Sequence, residues 1–308
     1  MDAPLAVRAR GIDQSFGEVV ALDGVELTVP AGQIHGLVGP NGAGKTTLLG
    51  LLLGLAVADS GSLEILGTPV GRALAVPEGV AGFVDGPGLY PSLTARQNLA
   101  ALAALRGDKA MARSIDDVLD QVGLTDVAND RTRGFSLGMR QRLGLAAALL
   151  AKPRLLILDE PSNGLDPSGK KQVYGVLQRL AADGTAVVLS SHRMDDVEAL
   201  CSEVTILATG RVAFSGPLGK LAGEIRELDY RIVTSDPAAA RKVAGDTDGL
   251  RIGGGQDSGV LVVSGPVPVL DELVKRLVQA DIAVRELSPL VSPLEAAFLA
   301  LTEVETDR

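Results

Sequence analysis

The chain has 308 residues, of which 46% are hydrophobic and 22% charged, a composition typical of a folded protein with one large core or two smaller ones. Its formal net charge of -9 argues against broad contact with a nucleic-acid backbone, so we expect no nucleic-acid partner. No apolar run approaches the roughly 20 residues that span a bilayer. The single cysteine excludes an intrachain disulfide, and the first residues lack the order of a secretion signal, so we expect a location in the cytoplasm.

The first predicted elements surround a glycine-rich loop. Alternating apolar and polar residues over 7–30 predict two antiparallel strands with a turn at 16–18, and residues 33–38 predict a short buried strand. An apolar helix is predicted from Thr46 onwards. Between this strand and this helix, residues 39–47 match the phosphate-binding pattern G-x-x-x-x-G-K-[ST].

A strand-to-helix turn of this kind binds phosphate, because backbone N–H groups and the positive end of the helix dipole converge on it. We therefore predict that the chain binds a nucleoside triphosphate, with Lys45 reaching the outer phosphates and Thr46 ligating magnesium. The predicted nucleotide-binding residues of this loop are Gly39, Pro40, Asn41, Gly42, Ala43, Gly44, Lys45, Thr46 and Thr47.

The middle of the chain is predicted to be mainly helical and is followed by two apolar strands. Helices are predicted over 93–105 and 110–122. Fully apolar strands are predicted over 154–159 and 185–190, with a helix over 169–182 between them. Strands that alternate with helices predict a parallel sheet that is covered on both faces.

The character of the sequence changes near residue 216. Two strands, over 230–234 and 260–264, alternate with glycine-rich turns, and a helix is predicted over 270–280. We therefore predict two domains, a nucleotide-binding domain over 1–215 and a small α+β accessory or regulatory domain over 216–308.

Two carboxylates follow the strand predicted at 154–159. Asp159 is placed to hold magnesium through water, and Glu160 to orient and polarise an attacking water as the catalytic base. A paired acidic dipeptide on a surface is usually a solvated face, but this pair lies at the carboxyl end of an apolar strand, where α/β sites gather. For His35, inside the strand before the loop, we expect a structural role.

The order of these features resembles that of ABC transporter ATPase subunits. Residues 135–142, FSLGMRQR, resemble the signature motif of that family, usually written L-S-G-G-Q. Leu137 and Met139 depart from that motif, and this form is similar to that of type 2 ABC exporters. The resemblance implies that Ser136 and Gly138 close over an ATP held by a second subunit.

Three more positions take their expected roles from this resemblance. Residues 162–166 resemble the D-loop, which implies that Asp166 takes part in the nucleotide site at the dimer interface. His192 matches the switch histidine that contacts the γ-phosphate and holds the geometry of the Glu160 water. Phe16 matches the aromatic residue that stacks on adenine, with a buried hairpin aromatic as the alternative.

The clearest departure from the family lies in the segment 82–88, which lacks the usual Q-loop glutamine. Asp85 is the nearest polar residue, and we assign it as a further magnesium candidate. Its carboxylate is a suitable ligand for hydrated magnesium, although it adds negative charge beside a triphosphate.

The family resemblance implies a P-loop ABC ATPase fold with a mixed α/β sheet core, an antiparallel β subdomain and a helical subdomain. It also implies ATP and Mg²⁺ as ligands, a second ATPase subunit that we expect to be a copy of this chain, and a separate transmembrane permease as partner. The chain would then lie on the cytoplasmic face of the cell membrane and drive export of drugs or antibiotics. The alternatives are the ATPase of an ABC importer and a soluble ABC ATPase that does not transport.

Overall fold

The computed structural model describes residues 4–223, 228–253 and 260–303. Contacts divide the chain into two compact units, of which the first ends at Leu218 and the second begins at Gly219. Within the described residues, no helix combines the length and the apolar character needed to cross a bilayer. The strands of the first unit are β1 (Leu5–Phe16), β2 (Val19–Pro30), β3 (Ile34–Val38), β4 (Ser60–Ile65), β5 (Thr68–Pro69), β6 (Val80–Phe83), β7 (Leu155–Leu158), β8 (Ala186–Ser191), β9 (Glu203–Ala208) and β10 (Arg211–Pro217).

An antiparallel sheet of four strands, in the order β2-β1-β4-β5, contains the predicted hairpin. Strands β1 and β2 pair along their length, from Leu5 opposite Pro30 to Phe16 opposite Val19. This confirms the two antiparallel strands predicted from alternation. Strands β4 and β5 escaped the prediction because they are short and mostly exposed, so they carry little apolar alternation.

The second sheet of this unit has six strands in the order β10-β9-β3-β8-β7-β6. All neighbours are parallel except β10, which pairs antiparallel with β9 at one edge. Strands β3, β7 and β8 bury every residue, as expected for parallel strands covered on both faces. Val38 lies opposite Ser191 and Leu158 opposite Leu189, so the carboxyl ends of these strands meet at one edge of the sheet.

Several helices of the first unit begin after a residue whose side chain caps them, namely Thr94, Asp108, Ser136 and Asp166. Thr94 forms a capping box with Gln97 at the start of the helix that follows it. The helical stretch predicted over 110–122 is helical, but it forms two helices that meet at Ser114, whose hydroxyl donates to the carbonyl of Ala110. The helices are α1 (Lys45–Leu52), α2 (Ala95–Arg106), α3 (Lys109–Arg113), α4 (Ile115–Gln121), α5 (Leu137–Leu149), α6 (Pro167–Ala182) and α7 (Met194–Leu200).

The second unit begins within α8 (Leu218–Gly223), and the elements after this helix have the β-α-β-β-α-β order of a split βαβ fold. Its antiparallel sheet has the order β12-β13-β11-β14, and two of its helices contribute to a small core that includes Ile232, Val263 and Leu273. The elements are β11 (Leu228–Thr234), α9 (Pro237–Gly245), β12 (Arg251–Ile252), β13 (Val260–Gly265), α10 (Val267–Gln279), β14 (Val284–Pro289) and α11 (Pro293–Glu303).

Candidate active site

The predicted phosphate loop connects the end of β3 to the start of α1. Gly44 has φ +99°, and a Cβ there would lie 2.4 Å from the carbonyl oxygen of Ala21. A Cβ on Gly39 would lie 2.3 Å from the carbonyl oxygen of Leu207. The loop therefore lies so close to its neighbouring backbone that glycine is required at both positions.

Lys45 is the first residue of α1, and its side chain bends back along the loop. Its Nζ donates to the carbonyl of Gly39 at 2.7 Å and to that of Pro40 at 3.0 Å. Burial lowers the pKa of the Lys45 ammonium, and the carboxylates of Glu160 and Asp159 oppose this shift. The ammonium is thus held between the loop and the two carboxylates that follow β7.

Asp159, at the carboxyl end of β7, has a buried carboxylate with partners from three segments. Its Oδ1 accepts from the hydroxyl of Ser190. Its Oδ2 lies 3.4 Å from Thr46 Oγ1 and 3.2 Å from the backbone N–H of Asp85, which both donate to it. The proposed magnesium candidates Thr46, Asp159 and Asp85 are therefore neighbours.

Glu160 is held in a left-handed backbone conformation, with φ +49°, that side chains other than glycine rarely adopt. Its backbone N–H donates to Ser190 Oγ at 2.9 Å. One of its carboxylate oxygens, Oε2, lies 2.9 Å from Nδ1 of His192, whose side chain is half exposed. The fold thus brings the predicted base and the predicted switch histidine into direct contact.

Ser190 is a residue of the candidate site that the sequence reasoning missed. Its buried hydroxyl accepts from the Glu160 backbone and donates to the Asp159 carboxylate, so a single side chain spans both acidic residues. One feature of the sequence could have identified Ser190: it lies near the end of a predicted buried strand, two residues before His192.

A cavity of about 370 Å³ is lined both by the phosphate loop and by the carboxylate residues Asp85, Asp159 and Glu160. Larger cavities, of about 660 and 790 Å³, lie away from these groups and contain neither the loop nor Asp159. The two valines at the start of β2, which the sequence reasoning did not single out, are exposed β-branched residues beside the hairpin turn. The lining residues are Val19, Val20, Ala21, Asn41, Gly42, Gly44, Lys45, Thr46, Thr47, Asp85, Asp159 and Glu160.

Eight predicted site residues do not line this cavity. Four of them adjoin residues that do, because they belong to the phosphate loop or contact Glu160: Gly39, Pro40, Ala43 and His192. The other four are Phe16, Ser136, Gly138 and Asp166. Phe16 is 58% exposed at the end of β1, so the alternative of a buried hairpin aromatic is wrong. Ser136 caps α5 by accepting from the N–H of Met139 at 3.2 Å, and Asp166 caps α6 by accepting from the N–H of Gly169. Gly138, in the first turn of α5, also lies outside the cavity.

The signature and D-loop segments pack against each other within one chain. A Cβ on Gly138 would lie 2.7 Å from the carbonyl oxygen of Gly164. A Cβ on Gly164, which has φ +72°, would meet the side chain of Leu137 at 2.7 Å. These glycines allow a backbone approach that no larger residue permits, so the two segments are spatially coupled.

Comparison with known proteins adds to this geometry. The family model described as "ABC transporter" matches residues 22–163. The uncharacterized ABC transporter ATP-binding protein YdbJ of Bacillus subtilis is 36% identical over 297 residues, which cover 95% of this chain and 94% of that protein. The daunorubicin resistance ATP-binding protein DrrA3 of Streptomyces coeruleorubidus is 32% identical over 310 residues, with coverage of 97% and 96%.

A solved structure of an ATP-binding subunit of an ABC transporter is similar to part of the chain. It aligns with a TM-score of 0.64 and 28% identity, and the match covers 71% of this chain and 92% of that one.

The chain therefore belongs to the ABC transporter ATP-binding family. It is an ATPase that binds ATP, and it serves as the ATP-binding subunit of a transporter. This confirms the fold class and the enzyme class predicted from the motifs.

Proposed function

We propose that the chain is the motor subunit of an ABC exporter, in which two copies dimerise around two ATP molecules. Hydrolysis would release the dimer and change the access of a separate transmembrane permease. The chain would then act on the cytoplasmic face of the membrane. The observation that carries the proposal is the contact between Glu160 and His192 beside the phosphate loop.

The relatives support export rather than import. A protein similar over nearly its whole length is named for daunorubicin resistance, and the Leu-Gly-Met form of the signature segment is similar to that of type 2 exporters. We therefore propose drugs or antibiotics as the cargo class, with an importer ATPase as the second candidate.

ATP would lie in the cavity along the phosphate loop. The loop N–H groups and Lys45 would bind its phosphates, while Phe16 would stack on the adenine beside the exposed valines of β2. Because Ser136, Gly138 and Asp166 lie outside this cavity, their proposed partner is the ATP of the second copy.

The donor set beside the loop fits a hydrated magnesium ion. A threonine hydroxyl, Thr46 Oγ1, points at the buried Asp159 carboxylate, and Asp85 adjoins them. Mg²⁺ prefers oxygen ligands, keeps several waters and binds few protein groups at phosphate sites. When bound, it would neutralise charge on the β- and γ-phosphates.

Glu160 would act as the base in hydrolysis. Its carboxylate would accept a proton from the attacking water as the new P–O bond forms and the bond to ADP breaks. His192, 2.9 Å from Oε2, would orient that carboxylate and contact the γ-phosphate. Ser190 fixes the backbone of Glu160, so the base is held by its main chain and by its side chain.

The test is ATP turnover of the purified subunit, wild type against Glu160→Gln, with and without the candidate permease. The amide cannot accept the proton, so we expect turnover to fall about 100-fold or more while ATP binding persists. We also expect the permease to stimulate the wild type and ATP to dimerise the variant. Turnover that survives the substitution would contradict the role of Glu160 as the base. Turnover that ignores every permease would contradict the exporter and favour a soluble ABC ATPase.

A further inference from the structure

A second polar cluster lies beside the site, around the carboxylate of Asp196 in α7. This side chain is 2% exposed. Its Oδ1 accepts from Lys170 Nζ at 2.6 Å and from the hydroxyl of Tyr174. Its Oδ2 accepts from the hydroxyl of Ser162. The buried carboxylate thus receives donors from α6 and from the segment that follows Glu160.

The charge state of this cluster is set by its contacts. Burial alone would raise the pKa of Asp196, but hydrogen bonds from Lys170, Ser162 and Tyr174 outweigh it and lower the pKa. Asp196 is therefore ionised at neutral pH. The three donors hold the position of this buried carboxylate, because removal of any one of them leaves part of its charge without a hydrogen-bond partner.

The Asp196 cluster lies close in sequence to both residues that are proposed to act in hydrolysis. Ser162 lies two residues after Glu160, and α7 begins two residues after His192. The bond between Ser162 and Asp196 therefore joins the backbone beyond the proposed base to the backbone beyond the proposed switch histidine. Ser162 also opens the segment 162–166 that packs against the signature segment.

We propose that Asp196 is a positioning residue for ATP hydrolysis. Through Ser162 it fixes the spacing of Glu160 and His192, and it transmits movement of residues 162–166 to that pair. This inference rests on the roles proposed above for Glu160 and His192.

A matched pair of variants separates this role from a structural one. Ser162→Ala and Tyr174→Phe each remove one hydroxyl from the same carboxylate, but only Ser162 connects to the segment that follows Glu160. Tyr174 lies in the middle of α6, and its hydroxyl donates to Asp196. A purely structural cluster would respond in the same way to both substitutions.

The experiment measures kcat, KM for ATP and the thermal midpoint for both variants in the full chain. For Ser162→Ala we expect kcat to fall about tenfold with KM changed by less than about twofold, because the base and the histidine lose their fixed spacing. For Tyr174→Phe we expect a lower thermal midpoint with kcat within about twofold of the wild type. Ser162→Thr keeps the hydroxyl and should restore kcat.

Two outcomes would overturn the inference: unchanged kcat in Ser162→Ala, or equal losses of kcat in Ser162→Ala and Tyr174→Phe. Asp196→Asn, measured alongside, should reproduce the loss of kcat where it folds, and the hydroxyl variants decide the question where it does not. Glu160→Gln in the same assay separates the two proposals. If Glu160→Gln loses turnover and Ser162→Ala does not, the proposal that Glu160 is the base stands and the positioning role of Asp196 is rejected.

Discussion

The parallel strands of the first unit and the antiparallel strands of the second unit bury their side chains in opposite ways. Strands β7 and β8 bury every residue. Strand β11 instead alternates, with Ile232 in the core and Arg231 exposed. The polar residues of β8, and those that follow β7, lie at the carboxyl end of the strand, whereas those of β11 are spread along one face. We infer that the first arrangement gathers reactive side chains at the carboxyl ends of the strands, and that the second serves mainly to stabilise the second unit.

The largest effect that tests this contrast is expected in the core of the second unit. Leu273 in α10 is fully buried there, so Leu273→Ala should lower the free energy of unfolding of this unit by about 2–5 kcal/mol. Basal ATP turnover should change little, because the site groups all lie before residue 193. Urea unfolding and turnover, measured on the same sample, check both expectations.

Val278→Ala is the control, since it shortens a side chain of the same helix that is 64% exposed. We expect its unfolding free energy to stay within about 0.5 kcal/mol of the wild type. Equal losses in the two variants, or turnover that falls in step with the stability of Leu273→Ala, would break the proposed division between stability and chemistry.

His35 is a polar residue in the middle of a doubly covered strand, and it should make stability depend on pH. Its Nε2 lies 2.8 Å from the hydroxyl of Thr205, while Nδ1 is buried without a hydrogen-bond partner among the described residues. Burial lowers the pKa of His35 from 6.5 to about 4. The unfolded chain therefore binds more protons between these values, and stability is lost as the pH falls from 6.5 towards 4.

The expected loss is about 3 kcal/mol, from a shift of about 2.5 units at 1.36 kcal/mol each. The measurement is the unfolding free energy of the wild type and of His35→Gln across this pH window. Carboxylates titrate in both proteins, so the difference between the two curves isolates His35. A difference that stays constant with pH would contradict the expectation.

The smallest of the three effects is expected at the carboxyl end of β8, where the contrast predicts chemistry. Ser190→Ala removes the hydroxyl that joins Glu160 to Asp159. We expect kcat to fall about tenfold, because the backbone of the base loses its partner. Steady-state turnover over a range of ATP concentrations checks this.

Thr185→Ala sharpens this test at the opposite end of the strand. Thr185 is also buried, and its hydroxyl donates to the carbonyl of Pro153 at 3.0 Å. We expect about 1 kcal/mol of lost stability with unchanged kcat. A loss of kcat as large as that of Ser190→Ala would show that any buried hydroxyl beside this strand supports turnover.

Sequence reasoning succeeded where one short segment determines both structure and chemistry. The phosphate loop has this property because its glycines and lysine form one continuous pattern. The Asp159-Glu160 pair has it because β7, the strand before the pair, is a continuous apolar run. Ser190 and Asp196 escaped it, since their roles come from partners about 30 residues away in the chain. A serine before a helix and an aspartate in a first helical turn have ordinary capping roles, so nothing local marks them.

The left-handed backbone of Glu160 has a consequence for how such a chain can change over generations. A residue other than glycine pays a conformational penalty at φ +49°, and glycine would not. Selection for hydrolysis therefore keeps glutamate at position 160, although substitution by glycine would relieve the backbone strain there. In a duplicated copy that no longer needs to hydrolyse ATP, the substitution Glu160→Gly would increase stability. The same single substitution would remove the proposed base and inactivate the motor.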